Sequence, residues 1–304
     1  MADGSLHGIS VVPEIVYGET PATPAMVKQR ITGVTLGLEK DTLESAEIRD
    51  DRQVAAVKHG TRQVGGDLNG ELSYETWDLF MEAVLGGTWT ADVLDAGLTR
   101  RSFSILREFP DLASGDSFFL FKGCEINNLA MEVTPESIVT TQFSMVGQDQ
   151  VISATAPTGA TYVPPNTNKV IDAFTGAIEE GGVDIAVVTA VSLSFENGIE
   201  PRFVVGSQTT IRPSIGRFRV SGSMTTYFDD GTMLAKFISE TDSSLKLTLA
   251  DVDGNSYEIL IPRIVLTSGK PDVESEGPIT LQMEFVAVYD ETESTNIRIT
   301  RAAA

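Results

Sequence analysis

Cysteine is almost missing from this 304-residue chain: Cys124 stands alone, so no internal disulfide can form. Histidine is nearly as scarce, and His7 and His59 cannot make a metal site by themselves. No Gly-x-Ser-x-Gly elbow, phosphate loop or zinc-ligand spacing occurs, so no catalytic set is visible and neither an enzyme nor a cofactor is expected. No apolar run approaches the ~20 residues that span a bilayer. The opening residues Met1-Ala2-Asp3-Gly4-Ser5 lack the basic and apolar regions of a signal peptide. Positive charge is the last shortage. Lys and Arg total 22 against 43 Asp and Glu, a formal net charge of −21. That argues against phosphate binding, which needs cationic neutralisation.

What is present is alternation. Hydrophobic residues make up 41% and charged residues 21%, a globular balance, and the length suffices for two cores. Residues 29–39 place Val34, Leu36 and Leu38 on one strand face, and residues 60–74 do the same with Val64, Leu68 and Leu72. The period then switches. Trp77, Phe80, Met81, Val84 and Leu85 form one helical stripe, ended by Gly86-Gly87. Strands are expected at 101–110, 117–123, 127–133 and 137–147.

This series recurs. Thr140 to Val146 lies over Thr280 to Val286 without a gap, and Ile31 to Leu36 lies over Val188 to Leu193. Leu68-x-Gly70-x-Leu72 is similar to Val220-x-Gly222-x-Met224. The second series has its own short helix, with Met233, Leu234, Phe237 and Ile238 expected inward. Asp251-Val252-Asp253-Gly254-Asn255 then gives a hairpin turn. That run faintly resembles part of a calcium loop, but its glycine and glutamate positions are wrong. The expected organisation is an N-terminal arm at 1–28, a first fold at 29–149, a linker at 150–183, a second fold at 184–290 and a polar, loosely held tail at 291–304. The fold class is mainly β with short helices, a sandwich or partial barrel plus one helix per copy.

Three local features invite a functional reading. Residues 40–59 carry both charge signs with little periodicity and read as a long loop. Cys124 reads as a buried structural thiol, with nothing nearby to lower its pKa. Gly65, Gly66 and Gly70 inside a strand mark close backbone approach or sheet curvature.

Val12-Pro13-Glu14-x-x-Tyr17-Gly18-Glu19-Thr20-Pro21 resembles the N-terminal arm of major tail tube proteins from phages with long non-contractile tails. Gly70-Glu71-Leu72-Ser73-Tyr74-Glu75-Thr76-Trp77-Asp78 resembles that family's strand-to-helix junction. Phe121-Lys122-Gly123-Cys124-x-x-Asn127-x-Leu129, with Phe143-x-x-x-Gly147, resembles its distal strands. The resemblance covers most of residues 10–150, and the second half follows through the internal repeat. It implies a structural virion protein, made in the host cytoplasm, that self-assembles into stacked rings and conducts DNA during ejection. Such tubes are generally six folds around, so two folds per chain imply three chains in a pseudo-sixfold ring, with other tail proteins at the tube ends. DNA would pass through the lumen without specific binding.

On that reading strands 60–74 and 214–227 line the lumen with their partners at 29–39 and 185–196. Asp67, Asn69 and Glu71 then face the channel. Residues 42–59 become a ring-stacking loop through Glu44, Glu47, Arg49, Asp50, Asp51 and Arg52, joined by the arm and by the shorter loop holding Arg202 and Phe203. The rival function is a receptor- or carbohydrate-binding β-sandwich, an adhesin or tail decoration. It would need an exposed aromatic platform, and the two Trp residues do not obviously provide one.

Overall fold

Hydrogen-bonded strands take up even the ends of the chain. A computed structural model describes residues 3–112, 115–185, 187–272 and 277–304. Small parts of the expected arm, first fold and second fold, at 1–2, 113–114, 186 and 273–276, lie outside the described residues. The stretch expected as an arm supplies β1 (Gly8–Pro13) and β2 (Ala25–Lys28). Then come β3 (Gly33–Val34), β4 (Gly37–Glu44), β5 (Val57–Glu71), α1 (Asp78–Leu85), β6 (Val93–Asp95), β7 (Phe103–Glu108), β8 (Phe118–Val133) and β9 (Thr140–Gly147). The expected linker carries β10 (Asp149–Ser153), β11 (Thr161–Val163), β12 (Ala177–Glu180) and β13 (Val183–Asp184). The second half holds β14 (Val188–Glu196), β15 (Glu200–Arg202), β16 (Ile211–Ser214), β17 (Arg219–Tyr227) and α2 (Thr232–Ile238). It ends with β18 (Ser243–Ala250), β19 (Ser256–Leu266), β20 (Lys270–Asp272), β21 (Thr280–Ala287) and β22 (Arg298–Ala302).

The protein is mainly β with two short helices. Its main ladder runs β4–β5–β9–β8–β14–β17–β21, all antiparallel, and stays open. β19 and β20 share the far edge of β21. A second group, β11–β2–β1–β7, joins the first part of β8, with β10 on its other side. β8 was expected as two strands, at 117–123 and 127–133. It is one strand of 16 residues that passes between the groups. Gly123, at φ 65°, supplies the bend without a break.

The pairing order of the first half recurs in the second. β4–β5–β9–β8–β7 is matched by β14–β17–β21–β19–β18. The registers also agree. Val34 faces Leu68, which faces Phe143; Val191 faces Met224, which faces Met283. Leu68 therefore corresponds to Met224, and the sequence match of Leu68 to Val220 is four residues out. Both strands alternate apolar and small residues, and a shift by an even number keeps every side chain on its face. The close approaches settle the register. A Cβ on Gly66 would lie 2.7 Å from the Thr35 carbonyl, and one on Gly222 would lie 2.4 Å from the Ser192 carbonyl.

α1 buries the stripe read from the sequence. The Phe80 ring sits 5.1 Å from both Phe103 and Phe143, one from each strand group, and Gly86 ends the helix at φ 66°. α2 departs from expectation. Met233, Leu234 and Phe237 are half-buried, and Ile238 is exposed, because no described element covers that side. The C-terminal residues also depart, being firmly held. β22 pairs with β19 and with β6, and Ile297 and Ile299 are buried.

Candidate functional site

The loop expected at 40–59 is largely a two-stranded ribbon. β4 and β5 stay paired out to Glu44 opposite Val57, leaving residues 45–56 as the tip. A ribbon with water on both faces needs no apolar alternation, so its sequence reads as a loop. Glu44, Glu47, Arg49, Asp50, Asp51 and Arg52 are all exposed there. Arg49 donates to both Asp51 oxygens at 2.9 and 2.7 Å and holds that carboxyl below its usual range. Arg52 adopts a left-handed backbone, φ 61°. Apolar side chains stand among these charges: Leu43, Ile48, Val54 and Val57 are exposed, Ile48 by 97%.

Phe203 approaches the base of this ribbon and not its tip, and Arg202 does not meet the ribbon. Glu39, Lys40, Asp41 and Arg62 line a shallow pocket with Pro201 and Phe203. The Arg62 N–H donates to the Gln208 carbonyl at 2.8 Å. The Arg202 guanidinium turns back on its own hairpin, donating to the Arg212 carbonyl at 2.8 Å.

Asp67, Asn69 and Glu71 share one face of β5, opposite the buried Val64, Leu68 and Leu72. Asp67 accepts from Ser144 Oγ at 2.6 Å and Gln142 Nε2 at 3.2 Å. The pairing registers carry that face across six strands, through Gln142, Asn128, Ser192, Ser194, Ser221 and Ser223. It adds Glu132, Glu196 and Glu284, which sequence reasoning did not single out. Strict alternation around the apolar positions of β8, β14 and β21 was the signal that could have found them. Its carboxylates are thus Asp67, Glu71, Glu132, Glu196 and Glu284. Arg219, opposite Glu196, and Lys270, opposite Gln282, stand at its margins.

The two halves meet along the pairing of β8 with β14, and charged clusters flank the seam. Buried Glu125 pairs with Arg100 and with Arg212 Nε at 2.9 Å. Asp78 accepts from Tyr257 Oη and Arg301, while Arg298 holds Asp95 at 2.8 Å. Burial pushes the Asp78 carboxyl up, and Tyr257 and Arg301 pull it partly back. Cys124 is buried, which pushes its thiol up. Trp77 is buried and Trp89 lies under Arg301, 4.7 Å from ring centroid to guanidinium, so neither offers a sugar-stacking platform. Asp251 Oδ1 accepts the N–H groups of Asp253 and Asn255 at 2.9 Å each, which makes that run a hairpin turn. Among the described residues no group of three or more His, Cys, Asp or Glu could hold a metal, and no helix is long and apolar enough to cross a membrane.

A family model described as phage tail tube protein matches residues 4–287. The chain belongs to the phage tail tube family. No curated protein matches it. Family membership makes it a structural tail protein that works in a multimeric assembly. In this tail tube chain the motifs that carried the resemblance are structural. The Glu14 carboxylate accepts from Gly18 N, Ser102 Oγ, Ser104 Oγ and Gly123 N, all within 2.7–2.8 Å. Two distant motifs are thereby joined. A Cβ on Gly123 would strike the Tyr17 ring at 2.9 Å, and one on Gly70 would strike the Trp77 ring at 2.1 Å.

Proposed function

We propose that three chains close into a pseudo-sixfold ring, that the rings stack into the tail tube, and that DNA passes through its lumen without specific binding. Two tandem tube folds, 29–149 and 184–290, would supply the six positions, with 150–183 linking them and 291–304 closing the second. The observation that carries the reading is the polar face shared by six strands, whose interior carries carboxylates and no Lys or Arg. A surface of that kind repels a phosphate backbone within about 8 Å at physiological ionic strength. The ring-stacking element is the β4–β5 ribbon with its exposed Ile48 and mixed charges. The protein would be made in the host cytoplasm and function in the virion tail, meeting other tail proteins at the tube ends.

Cryo-microscopy of purified, polymerised protein tests this directly. Hollow tubes with three chains per ring support it; six chains per ring, or discrete particles only, overturn it. Replacing residues 46–55 by Asn-Gly should give a folded, soluble protein that builds no tubes. Full-length tubes from that variant would remove the ribbon from ring stacking.

A further inference from the structure

Two helices with one pattern are covered unequally. α1 places Phe80, Met81, Val84 and Leu85 at i, i+1, i+4 and i+5, and α2 repeats the spacing with Met233, Leu234, Phe237 and Ile238. All four in α1 are buried, Leu85 to 1% exposure; in α2 none is fully buried, and Ile238 is 72% exposed. The difference lies in what sits on top. Leu85 shares a cavity wall with Asn197, Ile199 and Phe218. Asn197 Nδ2 donates to the carbonyls of Val84 and Ile126 at 3.0 Å each. Tyr257 and Arg301 close over Asp78. All of these covering residues belong to the second half. Among the described residues no element takes that place over α2.

We propose that α2 is the head-to-tail docking surface of this chain, seating against the first half of a second copy as α1 seats against the second half of its own chain. The inference rests on the assembly reading above and names the surface that joins the chains. The seam inside the chain supplies the template. Val191 corresponds to Val34 through their partners Met224 and Leu68, so Asn197 corresponds to Lys40 and Ile199 to Thr42. Beside Thr42 stands Leu43, 62% exposed. β10 holds the place on β8 that β22 holds on β19, and its Val151 and Ile152 are exposed. One end of the chain thus presents Tyr227 and Ile238 to water, and the other presents Leu43, Val151 and Ile152. Apolar side chains left open on matching surfaces are what a second copy would cover.

The test pairs Ile238→Cys with Thr42→Cys, both at exposed positions, leaving buried Cys124 in place. Assembled protein is treated with a short bismaleimide and run on a denaturing gel, after circular dichroism confirms the wild-type fold. A ladder that stops at three chains supports both docking and the three-chain ring. A ladder that continues to six keeps the docking and removes the three-chain ring. Tubes without cross-links overturn the docking while the tube reading stands. As a second measurement, Ile238→Asp should stay folded and soluble yet need at least about tenfold more protein to assemble. Val252→Asp, exposed at the β18–β19 turn, should assemble as the wild type does. Wild-type assembly by Ile238→Asp would equally overturn the proposal.

Discussion

Gly70 shows how one missing atom fixes a local structure. The Trp77 indole occupies the space where a Cβ would be, and its Nε1 donates to the Glu71 carbonyl at 3.0 Å. Gly70→Ala must displace a ring packed 5.1 Å from Phe143, so a loss of about 3 kcal/mol is expected, at the upper end for overpacking. Urea denaturation would measure it. Sequence pattern showed that this glycine was special but not why, because the ring that fills the space is seven residues away. Glu14 was legible only as part of a motif, since its partners Ser102, Ser104 and Gly123 are distant in the chain. His7 gives a second residue-scale expectation. Its Nε2 accepts from Arg107 Nε at 3.1 Å, and burial, with Arg107 nearby, holds its pKa below the ordinary 6.5. The unfolded chain therefore takes up this proton more readily. His7 contributes fully above pH 6.5, and that contribution is lost as pH falls through the folded pKa. His7→Gln should flatten the fall in melting temperature between pH 7 and about pH 5; an unchanged profile would remove His7 from the acid response.

Elements were legible where one face is buried and obscure where none is. The alternation of Val64, Leu68 and Leu72 revealed β5, and the stripe from Trp77 to Leu85 revealed α1, because core packing imposes those periods. The β4–β5 ribbon escaped detection because it packs on nothing beyond its base. β22 escaped for another reason. Its Ile299 is buried under strands distant in sequence, and Arg298 and Arg301 find their acidic partners at Asp95 and Asp92. A short strand flanked by charges reads as a polar tail until those partners are known. The consequence is testable. Ending the chain after residue 296 removes two buried isoleucines, worth about 3–6 kcal/mol at ~1.5–3 each, and opens the edges of β19 and β6. Such a chain should aggregate on expression. A soluble, cooperatively melting truncation would show that β22 adds little.

At the scale of the whole molecule, two electrostatic effects act on assembly with opposite signs. The net charge is −21, so three chains in a ring would bring together 3 × −21 = −63. Five carboxylates on the six-strand face would point toward one another across a lumen. The outer end of the ribbon, by contrast, carries Arg49 and Arg52 among Glu44, Glu47, Asp50 and Asp51, where attraction between stacked rings would be available. Salt weakens both, shrinking the screening length from about 10 Å at 0.1 M to about 3 Å at 1 M. Exposed ion pairs are worth at most about 1 kcal/mol each, and Arg49 is already engaged with Asp51 inside its own tip. In the proposed ring, summed repulsion would therefore outweigh attraction at the tips. Assembly followed by light scattering should accelerate as sodium chloride rises from 0.05 to about 0.5 M. Asp67→Lys with Glu71→Lys should speed assembly at low salt and reduce that dependence, while a Lys-lined channel slows DNA release from tails carrying it. If added salt instead slows wild-type assembly, contacts between opposite charges control the process, and the acidic face is not what limits ring closure.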